Sequence, residues 1–331
     1  EMAQFCAGYH RDKNPTITVL ELPFLGVNTL DEEVAVSHAV YAHPAVQADL
    51  ARWNAKLLMT SPMPQYNIVG TGEPRDELAD FEGMRKAGRL AAECLDLLAP
   101  MVKVGVTTEA LDTAAREFIL DHGALPACLG YRGYKHTICT SINHVVCHGI
   151  PNAKPLKNGD IVNIDVTVIV DGWHGDTSRM YAAGDINRKA ERLIDITYDS
   201  LMLGIGQVKP GNTVGDIGAA IAKYAHAERC TVVQDFCGHG LGRLFHDAPN
   251  ILHYGEAGQG EELREGMFFT VEPMINLGKP HVKILSDEWT AVTRDRKLTA
   301  QFEHSIGVTK DGCEIFTLSP AGLHRPPYNA S

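Results

Sequence analysis

Gly159-Asp160-Ile161-Val162-Asn163-Ile164-Asp165-Val166-Thr167-Val168-Ile169-Val170-Asp171-Gly172-Trp173-His174-Gly175-Asp176-Thr177 is an apolar, β-branched run, then Asp-Gly, then a second short run. This is the strongest local pattern for a hairpin closed by a two-residue turn. With Asp171-Gly172 as the turn, Val170 faces Trp173 and Thr167 faces Asp176. Asp165 lies two residues before Thr167, so it shares a face with Asp176 as its diagonal neighbour. Two carboxylates so placed repel, and one pKa climbs. A metal ion between them removes the conflict. An exposed strand face that carries two acids accounts for the same pattern equally well.

The remaining composition narrows the class. The 331 residues are 44% hydrophobic, with no apolar run long enough to cross a bilayer, so no membrane partner is expected. The size permits one large domain or two smaller ones. A net charge of -11 argues against a nucleic-acid backbone as the main partner. The eight Cys form no C-x-x-C pair, and nothing resembles a secretory signal peptide. Reduced thiols and a cytoplasmic location are therefore expected, without cysteine-ligated zinc.

Residues 1–58 carry scattered His and Pro with weak periodicity, and Met59-Thr60-Ser61-Pro62-Met63-Pro64 reads as a start followed by a Pro-rich arm. The expected organisation is an extension over 1–58 outside the functional domain, an arm over 59–75, and a single catalytic domain over 76–331. A genuine accessory segment at 1–58 is the alternative.

From Asp76 the pattern turns helical, with Leu78, Phe81, Met84, Ala87, Ala91, Cys94, Leu95 and Leu98 near 3.6 spacing up to Pro100. A second helix starts near Thr107 or Thr108, a suitable N-cap, and runs to Gly123. Arg85-Lys86-Ala87-Gly88-Arg89-Leu90 is echoed 103 residues later by Arg188-Lys189-Ala190-Glu191-Arg192-Leu193. Val102-Lys103-Val104-Gly105-Val106-Thr107 is echoed 106 residues later by Val208-Lys209-Pro210-Gly211-Asn212-Thr213. Two echoes in matching order favour a duplicated α+β unit with pseudo-twofold symmetry, helices on one side of antiparallel strands. Strands are expected over 159–182, 231–234, 267–276, 281–292 and 301–309.

Further polar residues interrupt this frame. Phe236-Cys237-Gly238-His239-Gly240-Leu241-Gly242 sets a His in a Gly-rich loop, and Phe245-His246-Asp247 follows. Thr270-Val271-Glu272-Pro273 and Gln301-Phe302-Glu303-His304 each set one acid in an apolar strand, where an ionised Glu is costly unless paired or coordinated. Val145-Val146-Cys147-His148-Gly149 ends a strand on a His. Singly, each acid reads as a salt bridge and each His as a turn or loop residue. Together with the paired aspartates, coordination is the better account. Asp165, Asp176, Glu272 and Glu303 supply four negative charges, which match two divalent cations, and His239 completes an oxygen-rich set suited to Mn²⁺, Fe²⁺ or Co²⁺ as well as Zn²⁺.

The ordered set Cys147-His148-Gly149-Ile150-Pro151, Asn163-Ile164-Asp165, Gly175-Asp176-Thr177-Ser178, Gly238-His239-Gly240-Leu241-Gly242, Thr270-Val271-Glu272-Pro273 and Gln301-Phe302-Glu303-His304 resembles the methionine aminopeptidases of the bacterial (type I) subfamily of M24 metallopeptidases, from about Asp76 to Leu318. The resemblance implies the duplicated pita-bread fold and hydrolytic removal of an N-terminal methionine before a small second residue. It makes Asp165 a ligand of one metal, Asp176 and Glu303 bridges, and His239 and Glu272 ligands of the other. By the same resemblance His148 contacts the scissile amide nitrogen, His246 the carbonyl oxygen, and Glu272 moves the water proton. It also implies a methionine pocket of Cys128, Tyr131, Tyr134, Cys139, Phe245 and Trp289, apolar, aromatic and thiol side chains suited to a thioether, and a monovalent cation near Asn143 and Val145. The expected partners are N-terminal Met peptides and nascent chains, acted on by a monomer; contact with the ribosome stays open. Only 25 residues separate His246 from Glu272, too few for the type II insertion. An aminopeptidase P or prolidase shares such a metal set, but the Cys/Tyr/Trp pocket speaks against it. A metal-free binding module of this fold would have lost ligands, and all five are intact here.

Overall fold

The structure, a computed structural model, describes residues 77–328, so the extension expected at 1–58 and the arm at 59–75 lie outside the described residues. Helix α1 (Glu77–Leu98) buries Met84, Ala87, Ala91, Cys94, Leu95 and Leu98 of the stripe read from its sequence, leaves Phe81 partly buried and Leu78 exposed in its first turns, and ends before Pro100. Helix α2 (Thr108–Asp121) starts at Thr107, whose hydroxyl accepts the Ala110 N–H at 3.1 Å. Helix α3 (Arg188–Ile205) is capped by Asn187, and α4 (Val214–Ala227) follows Thr213, whose backbone N–H donates to the Asp216 carboxylate at 2.7 Å.

The hairpin joins β4 (Asp160–Val170) to β5 (Trp173–Ala183) in the expected register, Val170 opposite Trp173 and Thr167 opposite Asp176. Asp171 and Gly172 both have positive φ, 51° and 80°, as a type I′ turn requires. On its other edge β4 pairs with β1 (Leu125–Pro126) and β2 (Ile138–Ile142), while β3 (Val145–Cys147) joins a separate small sheet. The later strands are β6 (Thr231–Val232), β7 (Gly238–Gly240), β8 (Asp247–Ile251), β9 (Phe268–Val271), β10 (Met274–Asn276), β11 (Val282–Ile284), β12 (Ala291–Thr293), β13 (Thr299–Gln301), β14 (His304–Val308) and β15 (Cys313–Ile315).

The duplication is visible bond by bond. Before α2 and α4, Gly105 and Gly211 adopt φ of 91° and 86°, and their N–H groups donate to Leu156 O at 2.8 Å and Leu263 O at 3.1 Å. Leu156 and Leu263 return N–H bonds to Val106 O and Asn212 O at 2.8 and 2.7 Å. The next pair, Gly159 and Gly266, donates to Ala183 O and Val308 O, each at 2.9 Å. The antiparallel pair β4–β5 thus corresponds to β9–β14. Each half also has its own core, one under α1 and α2 against β4, the other under α3 and α4 against β9 and β14.

Three expected strands differ from the sequence reading, and the one at 281–292 is a hairpin of β11 and β12 around a turn at 285–290. The segments at 267–276 and 301–309 are not continuous: the chain leaves one sheet and enters another at Glu272-Pro273 and at Phe302-Glu303. Pro273 has no N–H to give a ladder, and the Glu303 N–H goes to Ser178 O of β5 at 3.0 Å. Both acids therefore sit at sheet junctions.

Candidate active site

The two halves meet along β5 and the start of β14. Thr177 Oγ1 donates to Glu303 O at 2.7 Å, Ser305 Oγ to Asp176 O at 2.6 Å, and Asn163 Nδ2 to Gln301 O at 2.8 Å. This stitching brings ligand atoms of Asp176, His239 and Glu303 within 4.8 Å of one another. His239 Nε2 lies 3.6 Å from Asp176 Oδ2 and 3.6 Å from Glu272 Oε1. Asp165, on β4 between Cys139 and Ser178, faces the same acids without joining the close trio.

Asp176, Glu272 and His239 are each held from behind. Thr167 Oγ1 donates to Asp176 Oδ1 at 2.7 Å, and Thr270 Oγ1 to Glu272 Oε1 at 2.8 Å. Gln301 Nε2 donates to Glu272 Oε2 at 3.2 Å. His239 Nδ1 lies 3.0 Å from Gly240 O; a carbonyl only accepts, so Nδ1 carries the proton and Nε2 presents its lone pair to the acids. Burial holds His239 neutral, pulling its pKa down to about 4. Burial also raises the carboxyls: Asp165 to about 7, and Asp176, Glu272 and Glu303 well above the usual range, helped by their mutual repulsion. Four crowded carboxyls and an imidazole lone pair aimed at them conflict unless cations lie between. The donor set, oxygen-rich with one nitrogen, fits divalent metal.

Beside this cluster Cys128, Tyr134 and Cys139 form a buried group, with Ile150, Phe245 and Trp289 packed on it. Tyr134 and Trp289 rings lie 4.9 Å apart, as do Tyr131 and Phe245. Cys128 Sγ donates to Thr167 Oγ1 at 3.8 Å, which connects this group to Asp176 through one hydroxyl. A hydrogen bond with Cys139, and then burial, push the Cys128 thiol up, so it stays protonated. His148, at φ 56°, edges onto Phe236 and Trp289, and His246 lies 4.2 Å from the His239 ring. Burial keeps both neutral, His246 near pKa 3. Asn143 is engaged within the fold: its side chain donates to Asp160 at 2.8 Å and accepts from Ile161 N at 3.1 Å, and its carbonyl accepts from Thr299 N.

Sequence reasoning missed the supporting residues. Fully buried His253 accepts the Glu272 N–H at Nε2, 3.1 Å away, and Ile150 packs against the Cys128, Tyr134 and Cys139 group. Thr270 and Gln301 flank the acids in the quoted motifs, so their polarity in apolar strands was a usable signal. Ile150 and His253 carry no such signal, because only chain closure gives them their place.

The geometry agrees with what the chain resembles. Residues 82–310 match metallopeptidase family M24. Over 251 residues the chain is 62% identical to a methionine aminopeptidase of Rickettsia prowazekii, covering 75% of this chain and 96% of that protein. Over 241 residues it is 54% identical to the methionine aminopeptidase of Escherichia coli K12, covering 72% and 91%. The crystal structure of a Rickettsia prowazekii methionine aminopeptidase superposes with a TM-score of 0.72 at 61% identity, over 73% of this chain and 98% of that one. Family and buried cluster together make this a divalent-metal site in a pita-bread fold. The chain belongs to the M24 metallopeptidases and, among them, to the methionine aminopeptidases of the bacterial type.

Proposed function

We propose that the chain removes the N-terminal methionine from peptides and nascent proteins, favouring a small second residue, with two divalent ions (Co²⁺, Mn²⁺, Fe²⁺ or Zn²⁺) held by Asp165, Asp176, His239, Glu272 and Glu303. The observation that carries this reading is a buried group of thiols and aromatic rings, Cys128, Tyr134 and Cys139 with Phe245 and Trp289, beside the buried cluster of Asp176, His239 and Glu303 that Glu272 adjoins. When bound, the ions supply a Lewis acid and an acidified water. Glu272, whose buried carboxyl has a raised proton affinity, takes a proton from the attacking water and returns it to the leaving amine. Neutral His246 donates to the substrate carbonyl oxygen as negative charge grows there, and neutral His148 holds the scissile amide nitrogen. Cys128, Tyr131, Tyr134, Cys139, Phe245 and Trp289 take the methionine side chain. A reducing cytoplasm suits the seven described cysteines, all free thiols; no described helix is long and apolar enough to cross a membrane.

Fixing both the side chain and the carbonyl leaves little room for the second residue, and about 1 Å of displacement costs on the order of a hundredfold in rate. Chelator-stripped protein reloaded with each metal should cleave Met-Ala-x peptides about a hundredfold more efficiently than Met-Leu-x, read as kcat/KM. Equal efficiency on the two would remove the steric account. Turnover of Ala-Pro peptides in place of Met-Ala-x would remove the proposed function.

A further inference from the structure

Between Gly240 and Asp247, which pair across β7 and β8, the chain forms the loop that carries Phe245 and His246. Loop tips of this kind keep a conformation only where something outside the loop holds them. Here the holder is the tip of the metal-bearing hairpin. The His174 backbone N–H donates to Gly242 O at 2.8 Å, and His174 Nδ1 reaches the same oxygen at 2.9 Å. The His174 ring stacks on Phe245, 5.6 Å between centroids and 16° between planes. Phe245 in turn lies 4.1 Å from the His246 ring and 4.9 Å from Tyr131. Two further contacts come from the same tip: Arg243 Nη1 donates to Asp171 O at 2.9 Å, and its guanidinium sits 4.2 Å over the Trp173 ring. His174 is buried and lies two residues before Asp176 on the same face of β5.

Because Gly242 O can only accept, the His174 imidazole is the Nδ1–H tautomer. One ring thus performs two tasks: its nitrogen ties down the loop backbone, and its face aligns Phe245. A residue with only one of these properties would hold only half of the loop. We propose that His174 is a positioning residue that clamps the Gly242–His246 segment to the hairpin, setting the Phe245 and His246 rings relative to the metal ligands. The kinetic part of this inference rests on the function proposed above, since it takes Phe245 and His246 as substrate-binding groups.

The test separates the two. His174→Leu removes donor and ring, His174→Asn keeps a donor at the Nδ1 position, and His174→Phe keeps the ring. Amide hydrogen exchange over 241–246, bound-metal stoichiometry, and KM and kcat on a Met-Ala-x peptide are measured on metal-loaded full-length protein. In His174→Leu, exchange of these amides should rise about tenfold or more, KM should rise about tenfold, and metal content should stay at the wild-type value. His174→Asn and His174→Phe should each recover part of both effects. Unchanged exchange in His174→Leu, or in both other variants should Leu fail to fold, overturns the clamp. So does loss of metal with unaltered KM. A wild-type protein inactive on Met-Ala-x would instead sink the proposed function, while hydrogen exchange would still decide the clamp.

Discussion

His239 offers an unprotonated nitrogen to Asp176 and Glu272, each 3.6 Å away, inside a group of acids whose pKa values are all raised. That arrangement sets the sign of a pH effect. Near pH 6 Asp165, pushed up to about 7 by burial, still carries its proton in the metal-free protein, whereas His239, pulled down to about 4, has already lost its own. Metal binding must therefore expel protons from carboxyls and none from the imidazole. More protons should be released at pH 6 than at pH 8, and affinity should fall as pH drops through 7; calorimetry in buffers of different ionisation enthalpy reads both. Asp165→Asn should weaken metal binding and abolish turnover with the fold retained. Near-normal activity in that variant would show that the ligand assignment is wrong. Asp165, Glu272 and Glu303 were legible because each interrupts a β-branched or apolar run, and Asp176 because the Asp-Gly turn sets it diagonal to Asp165. His174 was not: nothing local ties it to Gly242, 68 residues away.

Helix α1 presses on the hairpin through positions where no side chain fits. A Cβ on Gly175 would lie 2.2 Å from the Ala87 backbone and 2.5 Å from Gly88 N. Since backbone cannot swing aside, Gly175→Ala should cost about 1–3 kcal/mol, lowering Tm by roughly 3–10 °C for a domain of this size. Gly312→Ala, where an added Cβ meets nothing within 4 Å, serves as the neutral control. Equal melting of the two variants would show that α1 yields easily and that the contact is loose. At this scale the hairpin and its register were readable from Asp-Gly and the alternation around it. The break at Glu272-Pro273 carried a signal in its proline, which cannot extend a ladder, whereas the one at Phe302-Glu303 did not, because period and composition run on unchanged while the strand changes sheet.

In the whole molecule, the site exists because two similar halves meet. Asp165 lies six residues after Gly159 and Glu272 six after Gly266, so equivalent strands of the two halves each bring one acid to the junction. The sequence echoes disclosed the helices of this repeat. They hid the equivalence of the acids, because the second half inserts β10 to β13 between its two paired strands, where the first half has a two-residue turn. Both cores and all five proposed ligands fall between Leu90 and Val308. A relative at 62% identity fits 96% of its own length into 251 residues of this chain. On that ground we propose that residues 1–58 lie outside the functional domain. A protein beginning at Met59 should keep wild-type metal stoichiometry, melting temperature and kcat/KM on Met-Ala-x. A large loss of kcat/KM with metal and stability intact would mean that residues 1–58 help to bind the substrate, and that the catalytic unit is larger than its two halves.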